Sequence, residues 1–170
     1  MCYCIDCSGD VEIEINRSKE HTGRKNMKMF LVLIVVLFVA VESSVAVRPP
    51  NVLRIAIRQQ ESSGGKFLKG DKKLKNPAFG SYQVRAKAMI DYNRWKGTNY
   101  SAEDCTYNEE LSLDVFNTYI DHYATEKRLG HKPTMKEMAG IWNGGPNGWK
   151  YADDYWGKVS RYLPREFRNV

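Results

Sequence analysis

Hydrophobic positions along the chain form one unbroken run and several periodic stretches. The run, Met29 to Val41, holds 13 apolar residues without a charge. Beyond it, "NVLRIAIRQQE" (51–61) admits two readings. Leu53, Ile55 and Ile57 alternate with Arg54 and Arg58, as in a half-buried strand. Leu53, Ile57 and Glu61 also stand at i, i+4 and i+8, on one face of a helix, and Asn51 suits an N-cap. The helix is preferred because the segments that follow are mostly helical. It places Glu61 on the apolar stripe of Leu53 and Ile57.

The stretch "SSGGKFLKGDKKLKNPAFGSYQ" (62–83) is dense in Gly, Ser, Asn and Pro and reads as a long loop with room for a small β-hairpin. Loops of this length in a domain are uncommon and usually functional. A helical pattern follows from Val84 to about Trp95. A clearer one runs from Glu109 to Leu129, with Leu113, Phe116, Ile120 and Tyr123 on one face and Gly130 as terminator. Thr134 and Glu137 form a capping-box pair ahead of Met138, Ile141 and Trp142. "NGGPNG" (143–148) breaks the chain. A last helix carries Tyr155, Trp156, Val159, Tyr162 and Leu163 before Pro164 stops it. The expected class is mainly α, or α+β with a small β element, in one domain.

The apolar run changes the picture of the N-terminus. Arg24, Lys25 and Lys28 flank it, and "ESSVA" (42–46) follows with Ser44 and Ala46 at the positions a signal peptidase reads. The pattern predicts a secretory signal over 27–46, an exported domain over 47–170, and no stable membrane partner after cleavage. The run is shorter than the ~20 residues of a spanning helix; a signal anchor is the alternative. Residues 1–26 read as an upstream extension, or as a cytosolic stub if the run is an anchor. Cys2, Cys4 and Cys7 lack a fourth ligand at a metal-site spacing. Only Cys105 lies beyond the signal, so the domain has no internal disulfide and relies on its apolar core.

The net charge is +6 and the pI about 9.1. The first 46 residues hold five of the 26 basic and six of the 20 acidic side chains, leaving 21 against 14 in the domain. Such a surface favours polyanions. No basic run with interleaved aromatics and no zinc-finger or RNA-binding signature occurs, so nucleic acid is not the expected partner.

Candidate chemistry concentrates in "ESSGG" (61–65), "FGSYQ" (79–83) and "IWNGGPNGW" (141–149), with "YW" (155–156) following. Glycine lets backbone approach a ligand closely. Aromatic faces stack on sugar rings, and Asn, Gln and Ser meet hydroxyls and amides. The combination describes a carbohydrate cleft. Glu61, beside Leu53 and Ile57, has the apolar surroundings that raise a carboxyl's pKa, and a protonated carboxyl is what glycoside cleavage needs. Asp71 is the nearest candidate for a second carboxylate. Alone, Glu61 would act first as acid and then as base, with the substrate's acetamido group stabilising the positive charge. His122 and His131 fit no ligand pattern and read as surface residues. No metal or organic cofactor is implied.

In this order the islands resemble the lysozyme-like superfamily. "ESSGG…GSYQ" resembles the Glu-Ser…Gly-x-x-Gln signature of bacterial lytic transglycosylases and phage endolysin-type domains. "IWNGGPNGW…YWGKV" is similar to their Asn-(Ala/Gly)-Gly-Pro segment, and more so to the corresponding segment of invertebrate-type (destabilase-like) lysozymes. "DYNRW", "YSAEDC" and "SLDVFNTY" resemble a transglycosylase-like family of phages and bacteria. The resemblance spans about residues 52–163. It implies a mostly helical, two-lobed domain with a central cleft and Glu61 as general acid/base. Ser81, Tyr82 and Gln83 would lie near the cleaved bond. Trp142, Asn143, Gly144 and Gly145 would form the sugar-binding wall, and Tyr155 would approach the carboxylate. Two departures stand out. Invertebrate-type lysozymes are rich in disulfides, and Asp71 comes slightly earlier than their aspartate.

The expectation is a secreted, monomeric muramidase acting on bacterial peptidoglycan, by hydrolysis or by lytic transglycosylation. The rival is a lysozyme-like module that grips peptidoglycan or chitin without cutting it.

Overall fold

The computed structural model describes residues 48–71 and 73–168. These belong to one compact unit, Val45–Val170. The signal segment, the stub before it and Cys2, Cys4 and Cys7 lie outside the described residues.

Helix α1 (Asn51–Ser62) forms as the apolar spacing predicts, with Leu53, Ala56 and Ile57 fully buried. Its N-cap is Pro50, not Asn51. The Pro50 carbonyl accepts from the N–H groups of Leu53 and Arg54, so Asn51 becomes the first helical residue and its side chain accepts from Arg54 at 2.5 Å. Ser63, left-handed at φ 53°, ends the helix.

The long loop contains more structure than one hairpin. Strands β1 (Lys69–Gly70), β2 (Ala78–Phe79) and β3 (Val84–Arg85) make a three-stranded antiparallel sheet in sequence order. Lys69 pairs with Phe79 and Gly70 with Ala78; Ala78 in turn faces Arg85 and Phe79 faces Val84. Val84 therefore starts a strand, not a helix, and α2 (Ala86–Lys96) begins two residues later.

Helix α3 (Glu109–Tyr123) is the spine. Phe116, Tyr119 and Ile120 join Leu53, Ile57, Ile141, Tyr155 and Val159 in one apolar cluster. Leu111 and Val115 join Val84, Met89, Tyr92 and Cys105 in a second. The periodic stretch predicted to run on to Leu129 is broken at Ala124. Thr125 then caps a one-turn helix, α4 (Glu126–Leu129), by accepting from the Arg128 N–H. A hydroxyl that competes for backbone N–H groups divides the helix where the apolar period alone does not.

Thr134 and Glu137 form the expected capping box at the start of α5 (Met135–Gly144). After α5 come a 3-10 turn (Gly148–Tyr151) and helix α6 (Asp153–Val159). The chain is mostly helical with a small sheet. Among the described residues no helix is long and apolar enough to cross a membrane.

The "NGGPNG" bend is held by a glycine–glycine contact between α5 and the turn after it. A Cβ on Gly148 would fall 2.1 Å from the Gly140 carbonyl oxygen, and one on Gly140 would fall 2.8 Å from the Gly148 oxygen. Backbone has nowhere to move there, so Gly148→Ala is expected to cost about 2–3 kcal/mol, the upper range for overpacking. Urea unfolding at unchanged slope would report it as a lower midpoint. An unaltered midpoint would show that the contact does not hold the bend.

Candidate functional site

Glu61 occupies the next-to-last position of α1, on the face that carries Leu53 and Ile57 into the core. Burial raises its pKa above the ordinary 4.5, and the nearby negative charge of Asp71 adds to the rise. A hydrogen bond from the Tyr155 hydroxyl and the positive charge of Arg85 work the other way without cancelling it. Tyr155 comes from α6, is 7% exposed, and is itself held firmly in its neutral form by burial. The first and last α-helices of the domain thus meet at one carboxyl–phenol contact.

Glu61 opens onto a cleft of about 290 Å³. The sheet and its flanking turns supply Asp71, Ala78, Gln83 and Arg85 to its lining, and the end of α5 supplies Trp142, Asn143, Gly144 and Gly145. Asp71 follows β1 directly, at φ 50°, and forms an ion pair with Arg85. Arg85 also donates to the Asn76 carbonyl at 2.8 Å, so it ties the β1–β2 connection to β3. Trp142 is partly buried. Its Nε1–H donates to the Tyr82 carbonyl at 3.1 Å, and its ring meets Phe116 and Tyr119 edge-on. Asn143 and Gly144 are exposed on the rim.

Most sequence-predicted site residues therefore come together: Glu61, Asp71, Gln83, Trp142, Asn143, Gly144 and Gly145 share one cleft. Three do not line it. Ser81 is 1% exposed and Tyr82 is 4% exposed. The Tyr82 ring stacks on Phe116 at 4.9 Å in the core. Both residues contribute through backbone: the Ser81 carbonyl accepts from the Ser62 hydroxyl at 2.8 Å, and the Tyr82 carbonyl from Trp142. A polar-looking turn faces inward here because its carbonyls find buried donors. Tyr155 stands behind Glu61 and reaches the cleft only through it.

Arg85, Lys87 and Tyr119 also line the cleft, and sequence reasoning missed them. In a strand Val84 and Arg85 point to opposite faces, so Val84 is buried and Arg85 exposed. Read as a helix, the same residues gave no such signal. His122 and His131 are exposed and outside the cleft; His122 stacks on Trp95 at 3.9 Å and His131 pairs with Glu137. Among the described residues no three His, Cys, Asp or Glu side chains group as a metal site.

No family profile and no curated protein matches the chain. Solved structures do. Tapes japonica lysozyme superposes with a TM-score of 0.57 at 19% identity, over 71% of this chain and 94% of that one. Meretrix lusoria lysozyme is similar in two crystal structures, one inhibitor-bound and one in complex with Aeromonas hydrophila PliI. Each gives a TM-score of 0.55 at 21% identity, over 66% of this chain and 88% of the other. The fold is lysozyme-like, similar to that of these lysozymes.

The raised pKa of Glu61 has a thermodynamic consequence. The folded chain holds this proton more tightly than the unfolded chain, so it binds more protons between the two pKa values. The associated stability is fully present below the unfolded value of 4.5 and is lost as pH rises through the folded one. Glu61→Gln, neutral throughout, lacks that loss. Thermal melts from about pH 4 to about pH 8 should show the variant gaining on the parent as pH rises. A gap that stays constant or shrinks would mean that burial does not raise this carboxyl.

Proposed function

We propose that this lysozyme-like chain is a secreted muramidase. It cleaves the β-1,4 bond between N-acetylmuramic acid and N-acetylglucosamine in bacterial peptidoglycan. The observation that carries the proposal is Glu61: a carboxyl desolvated by α1, held by Tyr155, and opening onto a cleft shared with Asp71 and the Asn143–Gly145 bend.

Glu61 donates its proton to the glycosidic oxygen as the bond to C1 breaks. Positive charge develops at C1 and the ring oxygen. Asp71, which lines the same cleft and is held by the Arg85 ion pair, meets that charge. Water then adds at C1, returning its proton to the Glu61 carboxylate, and leaves a reducing end. Desolvation raises the Glu61 pKa and so favours the protonated form, which suits a general acid. Trp142, Asn143 and the open backbone of Gly144 and Gly145 offer a stacking edge, an amide and close approach to a sugar. The excess of basic side chains in the domain, 21 against 14, suits an anionic wall. Export by the 27–46 signal would bring the domain to that wall.

Asp71 in the same cleft as Glu61 favours hydrolysis over lytic transglycosylation, in which the 6-hydroxyl of the substrate would close on C1. Mass spectrometry of the released muropeptides separates the two. Reducing ends are expected; 1,6-anhydro ends would assign the transglycosylase reaction. The protein should clear a suspension of bacterial cell walls. Glu61→Gln should slow this by about 100-fold or more, the effect of losing a general acid. Clearing at a near-normal rate by that variant would refute the role of Glu61, and binding without clearing by the wild type would identify a glycan-gripping module instead. Tyr155→Phe removes an interaction that lowers the Glu61 pKa, so the alkaline limb of the pH–rate profile should move to higher pH. Movement to lower pH would contradict the assignment.

A further inference from the structure

Gln83 lines the cleft, but its amide is already engaged by backbone. Its Nε2 donates to the Phe67 carbonyl at 3.1 Å and to the Gly80 carbonyl at 2.9 Å. Both amide hydrogens are thereby used. The orientation is fixed by its partners, since a reversed amide would set its oxygen against two carbonyl oxygens. The Oε1 atom lies over Gly70, where a Cβ would come within 1.8 Å of it. One side chain thus touches the approach to β1, the end of β1 and the turn between β2 and β3.

Two backbone observations point the same way. Gln83 stands at φ 54°, a left-handed conformation that costs a non-glycine residue energy and persists only where its surroundings enforce it. Asp71, immediately after Gly70, is left-handed as well, at φ 50°. Arg85, the partner of Asp71, lies two residues beyond Gln83 on β3.

We propose that Gln83 is a positioning residue, whose amide clamps the Phe67–Gly70 segment to the β2–β3 turn and so sets where Asp71 and Arg85 stand relative to Glu61. The proposal rests on the muramidase reading above. It moves Gln83 from the sugar-binding set to the frame that holds the second carboxylate. It also explains Gly70, since any side chain there would displace the amide from its place.

Tyr155, Arg85 and Asp71 are the charged and hydrogen-bonding groups that act on Glu61. Asp71 pushes the Glu61 carboxyl up, so moving Asp71 away should lower the pH at which activity falls, as Asp71→Asn does by removing its charge. The test is a double-mutant cycle on pH–rate profiles for cell-wall glycan, using the full chain, Gln83→Met, Asp71→Asn and the double variant. Gln83→Met keeps the side-chain length and loses both hydrogen bonds. The expected result is a fall in kcat of about tenfold with KM little changed and an alkaline limb at lower pH. The double variant should be no slower than Asp71→Asn alone, because both substitutions act through one carboxylate.

Losses that multiply would overturn the clamp. So would a rise in KM at unchanged kcat, the mark of a lost sugar contact. If Gln83→Met does not fold, Gly70→Ala displaces the same amide from the other side and enters the same cycle with the same expectation. A wild type that cuts while the losses multiply sinks the clamp alone. A wild type that binds cell-wall glycan without cutting it sinks the muramidase reading beneath it.

Discussion

A hydrogen bond between residues 94 positions apart organises this domain. Tyr155 on α6 donates to Glu61 at the end of α1, and each group depends on the other's setting. Burial holds the phenol neutral and therefore able to donate. The same burial disfavours charge on Glu61, while the donated hydrogen bond partly restores it. The carboxyl therefore keeps a raised pKa without being orphaned in the core. The bond needs both helices in place, and they are placed by Leu53, Ile57, Tyr155 and Val159 packing in one cluster around Phe116 and Ile120 of α3. Core packing and acid strength are consequences of one arrangement.

The part of the cleft around Asp71 is built differently. Three two-residue strands are tied together by side chains as well as by their ladder: Gln83 bonds the Phe67 and Gly80 carbonyls, and Arg85 bonds the Asn76 carbonyl and pairs with the Asp71 carboxylate. Asp71 is exposed and Glu61 is not fully so. A carboxyl in a desolvated setting and another at a wet rim are two acids of different character facing one space. That difference in surroundings is what the proposed roles of acid and charge stabiliser require. No disulfide braces this side among the described residues, where Cys105 is buried and free. Burial lifts its thiol pKa to about 12, which leaves it an apolar filler of the second cluster.

Much of this was legible in the sequence wherever a period or a local motif carried it. The i, i+4 spacing of Leu53, Ile57 and Glu61 gave α1 and the setting of the acid. The Thr134–Glu137 pair gave the start of α5. Trp142, Asn143, Gly144 and Gly145 reached the cleft as their glycine-rich context suggested. What failed were features decided by a single local competition. Thr125 broke the long helix with one hydroxyl, and Pro50 took the cap from Asn51 with a carbonyl. Val84 and Arg85 paired with β2 where a helical period also fitted them. Ser81 and Tyr82 looked like cleft residues by type, but the turn that carries them points their side chains into the core and leaves only their carbonyls to frame the site. Arg85 was hidden by the same misassignment, although it fixes the second carboxylate.

The proposed chemistry depends on the proton affinity of one side chain, and a carbon-13 NMR titration of the Glu61 carboxyl measures it directly. The expected midpoint lies above the ordinary 4.5, because desolvation outweighs Tyr155 and Arg85. A midpoint at or below that value would show that burial does not favour the protonated carboxyl, and it would contradict the claim that this fold holds a proton for the glycosidic oxygen.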